Sequence, residues 1–300
     1  MSILVDRSTR VVIQGITGRR GRSMAKDMRS YGTQVVAGVS PGHGGEIVEG
    51  VPVFDFVDDA VRSTGANTAL VLVPGLPGGL AAITETALSG VELAVWLADP
   101  VPIHDMIRLM ALLPRTGMRL VGPNSPGLMS PGRAKVGFMP TQCYAPGPVG
   151  VVSKSGSLSY EVSLRLTRRG LGQSTVVGIG GDPVKGTGLA DVVRMFEADP
   201  DTRLILVLGE VGGTEEYELA RLVASGEIRK PVVALIVGAT APTGKKLGHA
   251  GAMMFRGREG FLPKVRALEV AGVRVADSLT TVADVVAEHL GPAPAGEARR

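Results

Sequence analysis

The feature that most restricts this chain is an alternation between short, wholly apolar runs and segments of helical length and period. Val11–Gln14, Gln34–Ala37, Thr68–Val73, Leu93–Trp96 and Arg119–Val121 are apolar along most of their length rather than at every second position. Strands of that kind must be covered on both faces, which is the condition of a parallel sheet packed between helices. Leu80–Leu88 and Ile103–Leu113 supply helical periodicity between the runs. A second set follows, with strands at Val149–Val152, Ser174–Val177, Leu204–Leu208 and Val232–Val237. Its helices lie near Leu158–Arg168, Leu189–Glu197 and Glu215–Ala224. Residues 130–148, rich in Pro and Gly, read as a linker between the sets, and 291–300 as a frayed tail. The pattern predicts two doubly wound α/β domains in tandem, and 300 residues accommodate them.

Composition narrows the function classes. Aromatic residues make up only 4% and the net charge is only +4, so neither base stacking nor a phosphate-backbone footprint is indicated. The single cysteine, Cys143, excludes an intramolecular disulfide and a cysteine-rich metal site. No uninterrupted apolar stretch has membrane-spanning length, and the first residues lack the pattern of a signal peptide. A cytoplasmic protein is expected.

Two strand–turn–helix junctions carry anion-binding chemistry. In Val11-Val-Ile-Gln-Gly15-Ile-Thr-Gly18-Arg-Arg-Gly21, glycines recur every third residue between a strand and a helix. Such a turn lets a phosphate approach a helix N-terminus. The spacing is not the dinucleotide fingerprint, and no acidic residue ends the second strand, which runs Val35-Val-Ala-Gly-Val39-Ser40. A dehydrogenase is therefore disfavoured, and a different phosphate-bearing ligand is expected; packing glycines are the plainer alternative. The second junction, Val151-Val-Ser-Lys-Ser155-Gly-Ser157, offers hydroxyls, Lys154 and backbone N–H groups. An ordinary serine N-cap is the competing reading there.

His249 stands among small residues in Gly248-His-Ala-Gly-Ala252, after the Val232–Val237 strand and just beyond Lys245 and Lys246. A neutral imidazole so placed is a competent nucleophile near pH 7, and the lysines would attract an anion. Glu210, at the end of a neighbouring strand between glycines, could accept a hydrogen bond from one ring nitrogen and leave the other to attack.

Together these motifs resemble the α subunit of the succinyl-CoA synthetase family, the ADP- or GDP-forming succinate–CoA ligases. The resemblance runs through Gln14-Gly-Ile-Thr-Gly18, Tyr31-Gly-Thr33, Gly122-Pro-Asn-Ser-Pro-Gly127, Ser155-Gly-Ser-Leu-Ser-Tyr-Glu161, Gly178-Ile-Gly-Gly-Asp-Pro183, Gly209-Glu-Val-Gly-Gly213 and Gly248-His-Ala-Gly-Ala252, nearly the whole chain. It implies a Rossmann-like CoA-binding domain over 1–129 and a flavodoxin-like phosphohistidine ligase domain over 149–290, both mostly parallel. His249 then matches the phosphorylated histidine and Glu210 its support, the two candidate catalytic residues. CoA is expected at Gly15, Thr17, Gly18, Arg19, Arg20, His43, Val73, Pro74, Leu97, Ala98 and Asp99. The carboxylic acid is expected at Asn124, Ser125, Pro126 and Tyr160, and phosphate at Ser155, Gly156 and Ser157. ATP or GTP with Mg2+ would be bound by an ATP-grasp β subunit, in an αβ or α2β2 heteromer, and no metal site is assigned to this chain.

The chain departs from the family pattern on the CoA and acid side. Ser125 stands where the family usually has Cys, His43 where Lys is common, and Leu97-Ala98-Asp99 where Ile-Thr-Glu is usual. Gly257-Arg258-Glu259-Gly260-Phe261 replaces the familiar Gly-Lys-Gly-Thr-Ala. Arg19, Arg20 and Arg22 make the first glycine turn basic, and these guanidinium groups could take over the phosphates of CoA. Succinate is the first expectation for the acid, with malate or another small acid second. A non-CoA acyl acceptor and a non-enzymatic CoA-sensing subunit remain the alternatives.

Overall fold

The computed structural model describes residues 2–242, 244, 248–254 and 257–291. The first unit runs β1 (Arg10–Gln14), α1 (Arg19–Tyr31), β2 (Gln34–Val39), β3 (Ile47–Val48), β4 (Val51–Phe54), α2 (Val57–Thr64), β5 (Thr68–Val71), α3 (Gly79–Leu88), β6 (Leu93–Trp96), α4 (Ile103–Thr116) and β7 (Arg119–Val121). Its sheet has the order β3-β4-β2-β1-β5-β6-β7, parallel except for the short β3–β4 hairpin. Leaving that hairpin's β3 aside, this is the 3-2-1-4-5-6 order of the Rossmann fold. The order reverses at β1, which pairs with β2 on one side and β5 on the other. Gly15 therefore opens onto the crevice where such sheets bind ligands. Gly15 needs its positive φ of 87°, and Gly21 lets α1 close onto the turn, since a Cβ there would lie 2.3 Å from the Gly15 carbonyl oxygen.

The second unit comprises β8 (Gly127–Ser130), β9 (Ala134–Gly137), β10 (Pro146–Ser153), α5 (Gly156–Arg168), β11 (Gln173–Gly178), α6 (Leu189–Ala198), β12 (Leu204–Glu210), α7 (Glu215–Ala224), β13 (Val232–Val237), α8 (Phe261–Val270), β14 (Arg274–Val275) and α9 (Val282–Leu290). Its sheet order is β14-β13-β12-β10-β11-β8-β9. The parallel part is the 2-1-3-4-5 order of flavodoxin-like folds, with the switch at β10. Expected strands and helices thus stand within a few residues of their predicted positions. No described helix is long and apolar enough to cross a membrane.

The expected linker at 130–148 is corrected. It contains β9 and the start of β10, and with β8 it forms an antiparallel hairpin on the edge of the second sheet through Val177↔Leu128 pairing. Its glycines mark close backbone approach, not slack: a Cβ on Gly137 would meet Gly127 Cα at 2.8 Å. The second unit accordingly begins at β8, before the boundary the composition suggested.

This hairpin also joins the two units. Lys135, 1% exposed, donates to Asp27 of α1 at 2.6 Å and to the Met139 carbonyl at 3.0 Å. The backbone of Lys135 exchanges hydrogen bonds with the Thr33 hydroxyl, and Tyr31 Oη accepts from the Gly132 N–H. One cluster of buried apolar side chains runs without a break from Ile13 and Met28 through Leu128 and Val136 to Val152 and Val207.

Candidate active site

The carboxyl end of β12 delivers Glu210 to the edge of the second sheet, where the loop after β13 brings back His249. His249 Nδ1 lies 2.8 Å from Glu210 Oε2. An ionised carboxylate only accepts, so Nδ1 carries the proton and Nε2 keeps its lone pair. The hydrogen bond to Glu210 raises the imidazole pKa above the ordinary histidine range, burial opposes the rise, and the charges of Glu210, Asp182 and Asp99 add to it. Small residues make the seat possible. A Cβ on Gly181 would fall 2.2 Å from His249 Cγ, and the Gly251 N–H donates to the Gly181 carbonyl. A Cβ on Gly212 would strike the Gly251 carbonyl oxygen at 2.2 Å. The histidine loop is gripped between two glycine turns, each at the end of a strand.

Behind Glu210 lies a set of buried charges that single-motif reading missed. Glu216 and Lys264, both fully buried, form an ion pair. Lys154 Nζ reaches Glu216 at 2.7 Å and Glu215 at 3.3 Å, and Lys185 reaches Glu215 at 2.9 Å. Burial pushes Glu215 up, but the two lysines outweigh it and bring its pKa down to about 2. Lys154 is thereby corrected: it turns inward to Glu216 instead of joining the phosphate turn. The only sequence signal was the presence of charged residues next to glycines at strand ends.

Between the two units lies a cleft of about 470 Å³, lined by Arg20, Pro74, Leu97, Ala98, Asp99, Ser125, Pro126 and Tyr160 from the sequence-selected residues. Ser23, Met24, Leu72 and Phe138 complete it. Ser23 and Met24 could have been found by extending helical spacing from Arg20, since they stand three and four residues on along α1. Phe138 comes from the segment read as linker. It is 56% exposed and packs edge-on against Tyr160, with ring centroids 6.3 Å apart. Tyr160 Oη donates to the Phe138 carbonyl at 2.6 Å, and burial pushes the phenol up to about 12.

Residues 122–127 link the cleft lining to the histidine seat. Asn124, at φ +56°, donates from Nδ2 to Asp182 at 2.9 Å, one residue beyond Gly181. Burial raises the Asp182 pKa. Ser125 is buried, and its hydroxyl donates to the Gly178 carbonyl at 2.6 Å while accepting from the Gly127 N–H at 2.9 Å. That hydroxyl ties the inter-unit loop to β11.

Other selected residues have distinct placements. Ser155 is the N-cap of α5, accepting from the Leu158 N–H, and Gly156 abuts Pro126 and Tyr160 beside the cleft. Ser157 lies within hydrogen-bonding reach of Ser155. Thr17 donates from its hydroxyl to Ser40 at 2.9 Å, Gly18 caps α1, and Arg19 is exposed on its first turn. The Val73 carbonyl accepts from the Trp96 indole at 3.2 Å. His43 bonds Glu46 at 2.8 Å in the β2–β3 loop and is not among the residues lining the cleft. Lys245 and Lys246 lie outside the described residues, as does the tail beyond 291.

Comparison with known proteins agrees with this layout. A CoA binding domain family matches residues 6–99 and a CoA-ligase family matches residues 152–278. The chain is 49% identical to the succinate–CoA ligase [ADP-forming] subunit alpha of Aquifex aeolicus over 97% of its own length and 95% of that protein. It is 46% identical to succinate–CoA ligase [ADP-forming] subunit alpha 2 of Archaeoglobus fulgidus over 97% of its length and all of that protein. In fold it superposes with TM-score 0.88 on ATP citrate lyase from Methanothrix soehngenii, solved with citrate and coenzyme A. That likeness, at 23% identity, covers 96% of this chain and half of the lyase chain. With such identity over almost its full length, this chain belongs to the family of succinate–CoA ligase α subunits.

Proposed function

We propose that this chain is the phosphoryl-relay subunit of a nucleotide-dependent acid–CoA ligase, with His249 as the carrier and succinate as the first candidate acid. The observation that carries the reading is the His249–Glu210 pair, held at 2.8 Å beside a cleft between the two units. Nε2 attacks the γ-phosphorus of ATP or GTP presented by a β subunit of the ATP-grasp type, and the bond to the nucleoside diphosphate breaks. The acid's carboxylate then attacks phosphorus, the N–P bond breaks, and its electrons return to Nε2. The CoA thiol attacks the acyl carbon of the resulting acyl phosphate, expelling phosphate and losing its proton. Mg2+ would travel with the nucleotide on the partner, in a cytoplasmic αβ or α2β2 assembly.

The cleft suits CoA as second substrate. Met24, Leu72, Pro74 and Leu97 give it apolar walls for the pantetheine arm, while Arg20 and the N-terminal turn of α1 favour phosphate oxygens. The α1 first turn carries no acidic residue to oppose them.

The test uses the chain co-purified with its β partner, Mg2+ and radiolabelled ATP or GTP. An acid-labile, base-stable phosphate should appear on this chain and, on addition of succinate plus CoA, be released as inorganic phosphate while a succinyl thioester forms. In His249→Asn the label should vanish while the circular dichroism and melting temperature stay near wild type, because a glycine-flanked loop residue bears little core packing. Label persisting in that variant would refute the relay. Discharge by another acid would keep the relay and change the substrate.

A further inference from the structure

The ammonium of Lys264 is fully buried on α8, the first helix after the histidine loop, at the back of the Glu210 turn. It donates to the Glu210 carbonyl at 2.8 Å, to the Gly212 carbonyl at 2.5 Å and to Glu216 Oε2. Those two carbonyls flank Val211, where the chain leaves the β12 ladder: the last register pair is Glu210↔Val237. Buried carbonyls beyond a strand end need a donor, and one lysine supplies both. The same turn is tied to the far end of the histidine loop, since the Gly212 N–H donates to the Glu259 carbonyl.

Charge points the same way. Glu215 and Glu216 are held by Lys154, Lys185 and Lys264, two carboxylates against three ammonium groups. Lys154 and Lys264 both feel the Glu210 charge. His249 is the only group facing Glu210 from the open side among the described ion pairs.

We propose that Lys264 is the positioning residue of the His249–Glu210 pair: by bracketing the 210–212 main chain it aims the Glu210 carboxylate at Nδ1 and thereby selects the ring tautomer with a free Nε2. The proposal deepens the relay reading and rests on it for its kinetic consequence, but its structural part is tested without phosphoryl transfer. A misplacement of about 1 Å costs on the order of a hundredfold in rate.

The experiment labels histidine with 15N in this chain alone, in complex with its β partner. The ring signals are read by long-range 1H–15N correlation, and His249→Asn assigns the relevant one among four histidines. Lys264→Met should convert His249 from a single Nδ1–H form to a mixture of tautomers, slow phosphorylation by roughly ten- to a hundredfold and leave CoA binding near wild type. Because removing one buried charge can unfold a protein, the balanced variant Lys264→Met/Glu216→Gln is measured beside it. It should show the same tautomer mixture. A folded variant with the wild-type tautomer and rate would overturn the proposal. Loss of tautomer selection with no label even in the wild-type complex would sustain the positioning role and refute the relay instead.

Discussion

At the scale of single residues, one contact sets which ring nitrogen of His249 is free. His249 presents Nε2 because Glu210 occupies Nδ1, and the same contact raises the imidazole pKa. The protonated ring has no free lone pair, so phosphorylation should fall as pH drops through that raised value. In Glu210→Gln the charge is gone while a hydrogen-bond acceptor remains. Only the weaker fields of Asp182 and Asp99 then oppose deprotonation, and the inflexion should move to lower pH. The plateau rate should drop about five- to tenfold, the difference of ~1 kcal/mol between a charged and a neutral hydrogen bond. A pH profile of initial labelling checks both, and an unmoved inflexion would mean that Glu210 does not set the ring's protonation. The linkage sign for folding is the reverse of that for activity. A raised histidine pKa contributes stability that is complete below the unfolded value and disappears as pH rises through the folded one.

At the scale of elements, the site depends on glycines that let main chains approach where a side chain would stand. Gly181 and Gly212 hold the histidine loop, and Gly21 lets α1 close over the first turn. Gly21→Ala would place a methyl 2.3 Å from one backbone oxygen and 2.6 Å from the Ile16 Cα, neither of which is a flexible side-chain end. The helix must shift, at a cost of about 1–3 kcal/mol. A melting temperature several degrees lower and weaker CoA binding, with His249 labelling retained, are the expected results. Unchanged CoA affinity would mean that the turn tolerates displacement of its helix.

At the scale of the whole molecule, the two α/β units share an apolar core and a hairpin that belongs to one sheet but clasps a helix of the other. Lys135 is the polar centre of that clasp, with Asp27, Met139 and Thr141 around its ammonium. Lys135→Met should leave each sheet intact but cost about 1–3 kcal/mol, because the buried Met139 carbonyl loses its donor, and it removes the tie to the half-exposed Asp27 across the units. Limited proteolysis should then cut sooner within 127–146, and CoA affinity should fall because the cleft walls come from both units. Equal protection in the variant would show that apolar contact alone sets the docking.

The alternation of apolar strands with helices and the two glycine- and serine-bearing strand–helix turns were determined by the sequence by itself, because apolar runs and glycine spacing are local properties. The strand-end position of Glu210 and the glycine-flanked loop of His249 marked them as candidates; that they meet, 39 residues apart, was decided by the fold. The role of 130–148 was decided only by tertiary structure: Pro and Gly there signal close packing as readily as slack, and it is the distant β11 that supplies the sheet edge on which the β8–β9 hairpin pairs. The direction of Lys154, the burial of Lys264 and the commitment of the Ser125 hydroxyl were likewise beyond local reading. Each depends on a partner tens of residues away along the chain, and whether a charge faces solvent or an opposite charge is settled only when those distant segments meet.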